Sequence, residues 1–402
     1  MMAKKEQVPV IRFQGFADPW EQRKFEDIAV RSSAISSESG LPRVEYEDII
    51  SGIGRLNKDI FAKESDKSGM VFHKGDVLYG KLRPYLQNWL LPTFNGLAVG
   101  DFWVLQPQNA DSSFLYRLVQ SRQFDEVANQ STGTKMPRAD WKLVSKTEFF
   151  IPSTIDEQSA IGTYFEQLDY LITLHQRKYD KLVAIKRSML EKMFPREGSR
   201  FPEIRFAGFT DPWEQRKLGE VSKRVIVGLA TSVTPYYREK GAPILRNLNI
   251  KENYLDDTDI LFLDRTYAES QISKQIHAGD VLTVHTGYIG TSCVVPEKYD
   301  KCLTFTTLIT TTDESVLKGA FLSQYLNSEI GMSAVQAVTT QGGRQNLNTN
   351  DFVKVEIRYP SLAEQNKICT VLSSIDNLIT LHQRKLEKLQ AIKRSMLEKM
   401  FV

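Results

Sequence analysis

The 402-residue sequence has little cysteine, little histidine and no long apolar run, and each shortage excludes a class of protein. Its three cysteines, Cys293, Cys302 and Cys369, form no closely spaced pair, so neither a disulfide framework nor a zinc site is predicted. No stretch approaches the ~18 apolar residues that a membrane-spanning helix needs. The N-terminal lysines are not followed by an apolar segment, so no secretory signal is predicted. A reducing cytoplasm is the expected location.

The overall composition does not identify a partner. Hydrophobic residues make up 41% of the chain and charged residues 25%, which is ordinary for a globular protein. The length allows about two to four domains of roughly 100–200 residues each. A net charge of +3 is weak grounds for an anionic partner, so the distribution of charge along the chain is more informative.

An internal duplication organises the chain. Residues 11–24, IRFQGFADPWEQRK, return at 204–217 as IRFAGFTDPWEQRK. Residues 171–194, LITLHQRKYDKLVAIKRSMLEKMF, return almost unchanged at 378–401. Repeats should be sought before any other feature, because they decide the architecture. They predict four segments: module 1 at 1–150, a helix with its linker at 151–200, module 2 at 201–358, and a second helix at 359–402.

The two modules differ in sequence between the repeated runs. Residues 30–150 and 223–358 align poorly, except for HKGDVL at 73–78 and HAGDVL at 277–282. Each of these islands follows a turn signal and opens an apolar run, which indicates the start of a strand. We therefore predict that the modules share a fold while their surfaces have diverged.

The repeated C-terminal runs predict two long helices. Apolar residues recur at steps of mostly three and four, which places them on one stripe. Such a stripe needs a partner, and the repeated helix is the obvious one, in an antiparallel arrangement. The residues predicted to lie in this coiled coil or at a partner's docking surface are Leu168, Ile172, His175, Leu182, Ile185, Met189, Ile375, Ile379, His382, Leu389, Ile392 and Met396. The predicted fold class is α+β, with two mixed α/β modules, an antiparallel pair of long helices and a pseudo-twofold repeat.

Histidine and basic residues on these helices leave two questions open. His175 and His382 fall at equivalent places on the stripe, where a buried polar residue that fixes helix register is favoured over a metal ligand or a pH switch. Residues 175–194 carry six Lys or Arg against two acids, and 382–401 carry the same numbers. This excess of positive charge favours an anionic surface nearby, although it could also serve only to keep the helices in solution.

Two segments partly match known catalytic motifs but lack residues that those motifs require. GDVLYGK, at 75–81, begins like a phosphate-binding loop, but Leu82 replaces the required hydroxyl and Pro84 interrupts the expected helix. Asp18-Pro19-Trp20 lacks one proline of an adenine-methyltransferase motif, and no glycine-rich cofactor turn accompanies it. A structural corner with a packed tryptophan is the preferred interpretation. No catalytic residue and no metal ligand is predicted for this chain.

Polar stretches in both modules predict DNA binding. They lie at 81–89 and 131–138 in module 1, and at 245–254, 285–290 and 339–348 in module 2. Arg, Lys, Asn and Gln can read base edges, while hydroxyls and backbone amides hold phosphates. Taken singly, each stretch is better explained as an ordinary surface loop, but their recurrence at matching places favours a shared role. The candidate residues are Lys81, Arg83, Tyr85, Thr132, Thr134, Lys135, Arg138, Arg246, Asn247, His285, Thr286, Tyr288, Gln341, Arg344 and Gln345.

This arrangement resembles the specificity subunit of type I restriction-modification systems over essentially the whole chain. The resemblance rests on the two DPWEQRK runs, on LITLHQRK with KRSMLEKMF, and on IPSTIDEQ at 151–158 and YPSLAEQ at 359–365. It implies that each module is a target-recognition domain for one half of a split, asymmetric DNA target. The helices would be spacers and docking surfaces for two methyltransferase subunits.

The resemblance also implies a division of chemistry among subunits. The methyltransferase partners would flip out and N6-methylate adenine with S-adenosylmethionine. A restriction subunit would use ATP and Mg, and this chain itself would bind no cofactor. Two alternatives remain at this stage: a coiled-coil protein-interaction scaffold without sequence-specific DNA binding, and a recognition subunit for a bifunctional restriction enzyme outside type I.

Overall fold

The computed structural model describes residues 9–63, 65–130, 136–339 and 346–401. The chain divides into two compact units: unit 1 comprises Met1–Arg177 with Gln383–Val402, and unit 2 comprises Lys178–His382. Each unit therefore contains one module together with a segment from each of the two long helices.

Module 1 is built from short strands and helices, followed by the first long helix. Its strands are β1 Glu21–Lys24, β2 Ala29–Arg31, β3 Ile35–Ser36, β4 Arg43–Val44, β5 Ile49–Ile50, β6 Arg55–Leu56, β7 Gly69–Phe72, β8 Val77–Gly80, β9 Trp89–Leu90, β10 Gly96–Ala98, β11 Phe102–Pro107 and β12 Glu148–Ile151. Its helices are α1 Phe25–Ile28, α2 Ser112–Leu118, α3 Arg122–Ala128, α4 Trp141–Lys146 and the long α5 Ile155–Lys192.

Module 2 follows the same plan and ends in the second long helix. Its strands are β13 Glu214–Lys217, β14 Ser222–Val227, β15 Tyr237–Arg238, β16 Ala242–Arg246, β17 Ile250–Lys251, β18 Tyr254–Leu255, β19 Leu261–Leu263, β20 Val281–Val284, β21 Ser292–Val294, β22 Leu303–Phe305, β23 Thr307–Thr312 and β24 Glu356–Tyr359. Its helices are α6 Arg265–Ser270, α7 Gly319–Leu326, α8 Glu329–Val338, α9 Thr349–Phe352 and α10 Leu362–Met400.

The modules share one sheet and differ in another. The antiparallel order β2-β11-β8-β9 of module 1 returns as β14-β23-β20-β21 in module 2. Both islands, HKGDVL and HAGDVL, lead into the corresponding strands β8 and β20, as predicted. The second sheet has the order β3-β7-β10-β4 in module 1 but β15-β19-β16-β22 in module 2. The shared fold is therefore confirmed for the first sheet, and the divergence extends to strand pairing in the second.

The repeated DPWEQRK runs form the first strand of each module. Strand β1 pairs antiparallel with β12, and β13 pairs in the same way with β24. Since β12 and β24 come directly before the long helices, each pairing ties the start of a module to the start of its helix.

Two helix segments run antiparallel within each unit. In unit 1, Lys393 of α10 forms a salt bridge with Asp169 of α5 at 2.6 Å, and the ring of Phe401 lies tilted against that of Phe165, with centroids 6.3 Å apart. In unit 2, Lys186 of α5 forms a salt bridge with Asp376 of α10 at 2.6 Å. The predicted antiparallel pairing is thus present in each unit, with one Lys–Asp contact between the helices in each. Burial lowers the pKa of Lys393, because desolvation outweighs its attraction to Asp169.

The two Lys–Asp contacts predict unequal effects of the same substitution. Without Lys186, Asp376 keeps only one side-chain partner among the described residues, the amide of Gln324 at 3.3 Å. Without Lys393, Asp169 still accepts from the guanidinium of Arg117 at 2.8 Å. We expect Lys186→Met to lower the free energy of unfolding by about 1–3 kcal/mol, because it weakens the pairing of a partly buried carboxylate.

The matched variant Lys393→Met should cost less than about 1 kcal/mol, because it removes a desolvated charge whose partner stays paired. Denaturant unfolding of both variants measures the difference. Equal destabilisation by the two substitutions would contradict this account of the contacts.

Candidate nucleic-acid interface

The two histidine-containing islands are turns that position strands β8 and β20. The backbone amide of His73 donates to Asp76 at 2.8 Å, and that of His277 donates to Asp280 at 2.8 Å. The glycines that follow, Gly75 and Gly279, have φ values of 92° and 90°, which favour residues without a Cβ. These islands are therefore structural, and the predicted binding residues begin at the opposite ends of the same strands.

Each module brings two separated polar stretches together at the end of this strand. In module 1, Leu82 forms an antiparallel bridge with Arg138, and the amide of Ala139 donates to the carbonyl of Lys81 at 2.8 Å. The corresponding contacts in module 2 are equivalent. There, Thr286 forms a bridge with Asn346, and the amide of Leu347 donates to the carbonyl of His285 at 3.0 Å. We call this place, residues 81–83 with 136–139 and residues 285–288 with 346–347, the strand-end site.

In module 1 the strand-end site is basic with one central carboxylate. Asp101 accepts from Arg138 at 3.0 Å and lies 3.5 Å from the ammonium of Lys81. Burial alone would raise the pKa of Asp101, but the hydrogen bond and charge of Arg138, with Lys81, lower it below its usual value. Tyr46 donates to the carbonyl of Asp101 at 2.6 Å and accepts from the amide of Leu82 at 2.9 Å. The phenol thereby links the backbone of Asp101 to that of Leu82.

The remaining predicted residues of this stretch lie on its outer turn. Arg83 has a left-handed backbone with φ of 50°, and its buried Nε has no hydrogen-bond partner within the part of the chain that the structure describes. Tyr85 is 55% exposed. An exposed aromatic ring next to basic side chains suits contact with nucleic acid.

In module 2 the strand-end site has a histidine and two other polar side chains at its centre, and no carboxylate corresponds to Asp101 among these contacts. Nδ1 of His285 lies 2.8 Å from Oδ1 of Asn346 and 3.3 Å from the hydroxyl of Thr286. Thr307, which pairs with the end of strand β20, donates to Oδ1 of Asn247 at 3.1 Å. Asn247 therefore lies beside this site.

Two other predicted residues of module 2 have different environments. Tyr288 is 88% exposed, directly after Gly287, whose φ is 89°. Arg246 donates to both the carbonyl and the carboxylate of Asp259, at 2.7 and 2.9 Å. Its guanidinium is thus engaged within the module, while the tyrosine projects into solvent.

Six predicted DNA-binding residues lie outside the described residues: Thr132, Thr134, Lys135, Gln341, Arg344 and Gln345. Three residues of the site were missed by sequence reasoning, namely Tyr46, Asp101 and Asn346. Tyr46 and Asp101 lie far from the basic stretches in sequence, so only the fold reveals their place. Asn346 lies within the predicted polar stretch 339–348, and its equivalence to Arg138 is the signal that could have identified it.

The repeated motifs form a joint between each module and its helix. In unit 1, Arg12 donates through Nε and Nη2 to the two oxygens of Glu157, at 2.6 and 2.7 Å. The indole of Trp20 donates to the same carboxylate at 3.2 Å. Trp20 is buried in the module core, which confirms the structural interpretation of the Asp-Pro-Trp run.

The joint of unit 2 repeats the ion pair. Arg205 donates to both oxygens of Glu364, each at 2.8 Å. The neighbouring glutamine holds loops of the module: Gln365 accepts from the amide of Lys318 at 2.9 Å and donates to the carbonyls of Val316 and Pro360, both at 2.9 Å. The Glu-Gln pair is thus part of the architecture.

The predicted helix residues occupy four kinds of place. Leu168 and Ile375 are buried; Leu389, Ile392 and Met396 pack against the core of unit 1, and Met189 packs against that of unit 2. Ile185 is exposed at 36%. The other five are half-buried: Ile172, His175, Leu182, Ile379 and His382.

Within the described ranges, no group of three or more His, Cys, Asp or Glu side chains could hold a metal ion. No described helix is both long and apolar enough to cross a membrane. The three cysteines are free thiols, and burial raises the pKa of Cys302 to about 11 and that of Cys369 to about 12.

The family sequence model described as type I restriction modification DNA specificity domain matches the chain twice, over residues 17–184 and 210–391. The chain belongs to this family. Each match contains one module and most of the long helix that follows it. The duplication therefore corresponds to two copies of the specificity domain.

Individual family members are distant in sequence. The type I restriction enzyme MjaVIII specificity subunit of Methanocaldococcus jannaschii is 22% identical over 287 residues, covering 67% of this chain and 65% of that subunit. The EcoDI specificity subunit of Escherichia coli is 26% identical over 185 residues, covering 44% of this chain and 41% of that subunit. The matches span less than two thirds of the length of these curated relatives.

A solved structure extends the likeness to the fold. The crystal structure of a type I restriction-modification system S subunit from M. genitalium matches with a TM-score of 0.60 at 14% identity. It covers 98% of this chain and 99% of that one. This likeness confirms the predicted fold class of two mixed α/β modules with two long helices.

Proposed function

We propose that this chain is the DNA specificity subunit of a type I restriction-modification complex, and that each module reads one half of a two-part target. The observation that carries the proposal is the strand-end site. It has the same backbone contacts in both modules, Ala139 to Lys81 and Leu347 to His285, but different side chains. A backbone arrangement that is shared by the two modules, with different side chains, suits two modules that recognise different DNA sequences.

The repeated helices are proposed as spacers and as docking surfaces for two methyltransferase subunits. Leu171 and Leu378 hold the same place in the repeat and are 39% and 43% exposed, and Leu381 is 46% exposed. Apolar side chains exposed on nearly identical segments offer the same surface twice. Two copies of one partner are therefore the natural occupants, and the length of the helices sets the gap between the two half-sites.

Catalysis is assigned to the partners. The methyltransferase subunits would supply S-adenosylmethionine chemistry on adenine, and restriction subunits would use ATP and Mg. The repeated motifs that resemble catalytic sequences are engaged in joints and strands, as with Trp20 and Glu157. This chain would contribute recognition and assembly.

Selection from a pool of random DNA duplexes tests the proposal. The full chain, purified with its methyltransferase subunits, is expected to enrich an asymmetric motif of two parts separated by a fixed gap. Binding to that motif should be roughly 10³-fold or more tighter than binding to unrelated duplexes, and it should weaken steeply as salt rises. A scaffold without DNA specificity would bind its partners but enrich no motif, and that result would refute the proposal.

A further inference from the structure

Arg138 and Asn346 occupy the same position in the two modules. Each forms the strand-end bridge, Arg138 with Leu82 and Asn346 with Thr286. Each is exposed and is followed by a buried residue, then by the residue that caps the next helix. That cap is Asp140 for α4 and Asn348 for α9. Because the bridge and the helix cap hold the backbone at and after each of these residues, the two side chains are presented from a fixed frame.

Arg138 is oriented by its ion pair. Its Nε and Nη2 donate to Oδ2 of Asp101 at 3.3 and 3.0 Å, which uses one edge of the guanidinium. Within the described ranges no residue accepts from Nη1, and the side chain is 54% exposed. The outer edge, Nη1 with Nη2, is therefore a fork of donors directed away from Asp101. Such a fork matches the O6 and N7 acceptors of guanine in the major groove.

Asn346 is oriented by His285. Its Oδ1 lies 2.8 Å from Nδ1 of His285, which leaves one lone pair of that oxygen for another donor. Among the described residues, none accepts from its Nδ2. A free donor beside a free acceptor matches the N7 acceptor and N6 donor of adenine.

We propose that this shared position reads a purine in each half-site, with Arg138 contacting a guanine and Asn346 contacting an adenine. The proposal rests on the proposed function and adds to it the residue and the base in each module. The two side chains keep different hydrogen-bonding partners, Asp101 and His285, because each needs its own support to face a base edge. The backbone arrangement is the same in both modules, so the side chain at this position determines which base each module recognises.

A contact with phosphate is the competing role for a basic side chain at this place. A phosphate contact contributes equally on every sequence, whereas a base contact contributes at one position of one half-site. The two roles are therefore separable by comparing the selected motif with the affinity for unrelated DNA.

The test is duplex selection with four variants of the full chain in its complex. Arg138→Gln removes the donor fork, and Arg122→Gln makes the same charge change at an exposed arginine of α3. Asn346→Asp removes the amide donor, and Asn350→Asp makes the same change on α9, at another exposed asparagine. The unaltered half-site reports in each case whether the chain is folded and bound.

Arg138→Gln is expected to reduce discrimination for guanine at one position by about 5- to 150-fold, and Asn346→Asp to do the same for adenine in the other half-site. Both control variants should select the wild-type motif. An unchanged motif in Arg138→Gln or Asn346→Asp would overturn the proposal. So would a uniform loss of affinity on all duplexes with a salt slope smaller by about one, which is the signature of a phosphate contact. If the wild type itself selects no motif, the proposed function fails instead.

Discussion

Arg12→Leu is expected to lower the free energy of unfolding of unit 1 by about 3–5 kcal/mol, the usual cost of removing one partner from a buried ion pair. Glu157 is only 1% exposed, and Arg12 holds both of its oxygens. Without the guanidinium, the indole of Trp20 is the one side-chain donor that remains to Glu157 among the described residues. The carboxylate would then lie buried with its charge uncompensated, which is the source of the cost.

The equivalent Arg205→Leu should destabilise unit 2 at least as much. Glu364 is also 1% exposed, and the buried indole Nε1 of Trp213 has no hydrogen-bond partner among the described residues. In unit 1 the indole of Trp20 donates a hydrogen bond to Glu157. The joint of unit 2 has no equivalent bond to Glu364 among the described residues. Denaturant unfolding, followed by a probe specific to each unit, measures both losses.

Arg23→Leu is the matched control. Arg23 lies on strand β1 in the same repeated run, but its partner Glu21 is 44% exposed, so a cost below about 1 kcal/mol is expected. The double variant Arg12→Leu with Glu157→Leu should recover much of the loss, since no buried charge remains. If Arg12→Leu were no more costly than Arg23→Leu, the joint would not have the structural role given to it here.

The long helices and the strand starts could be predicted from the sequence because local signals determine them. Apolar spacing predicted α5 and α10, and the Gly-Asp turns predicted the starts of β8 and β20. The predicted apolar stripe included Ile185, which is 36% exposed. A face defined by spacing alone does not reveal how far a partner helix covers it.

The strand-end site could be predicted only in part, because it depends on strand pairing between distant segments. Arg138 was identified by its charge, but its partner Asp101 comes 37 residues earlier and has no basic neighbour in sequence. Asn346 and Thr307 reach the site through the pairing of β20 with β23 and through a single bridge. The repeats are evident in the sequence, but their physical reason, an Arg–Glu pair with a buried carboxylate in each joint, joins residues 145 and 159 positions apart that only the fold brings together.

Exchanging residues 218–355 for the matching segment of another family member is expected to replace one half of the DNA target. These limits lie just inside strands β13 and β24, whose last pair is Lys217 with Glu356. The graft would leave the Arg205–Glu364 joint and both long helices unchanged. Since the gap and the first half-site depend on parts that are not exchanged, both should be retained.

Affinity of the exchanged chain for the original target should fall toward the non-specific level, a loss of roughly 10³-fold or more. A graft of residues 218–355 from a relative with the same second half-site is the control, and it should keep the original affinity. This pair separates loss of recognition from loss of folding.

Duplex selection with the exchanged chain beside the wild type tests the central claim, that two independent modules read two separate DNA sequences, most directly. The account predicts two motifs with the same first half and the same gap but different second halves. A change in both halves, or one motif shared by both chains, would contradict it.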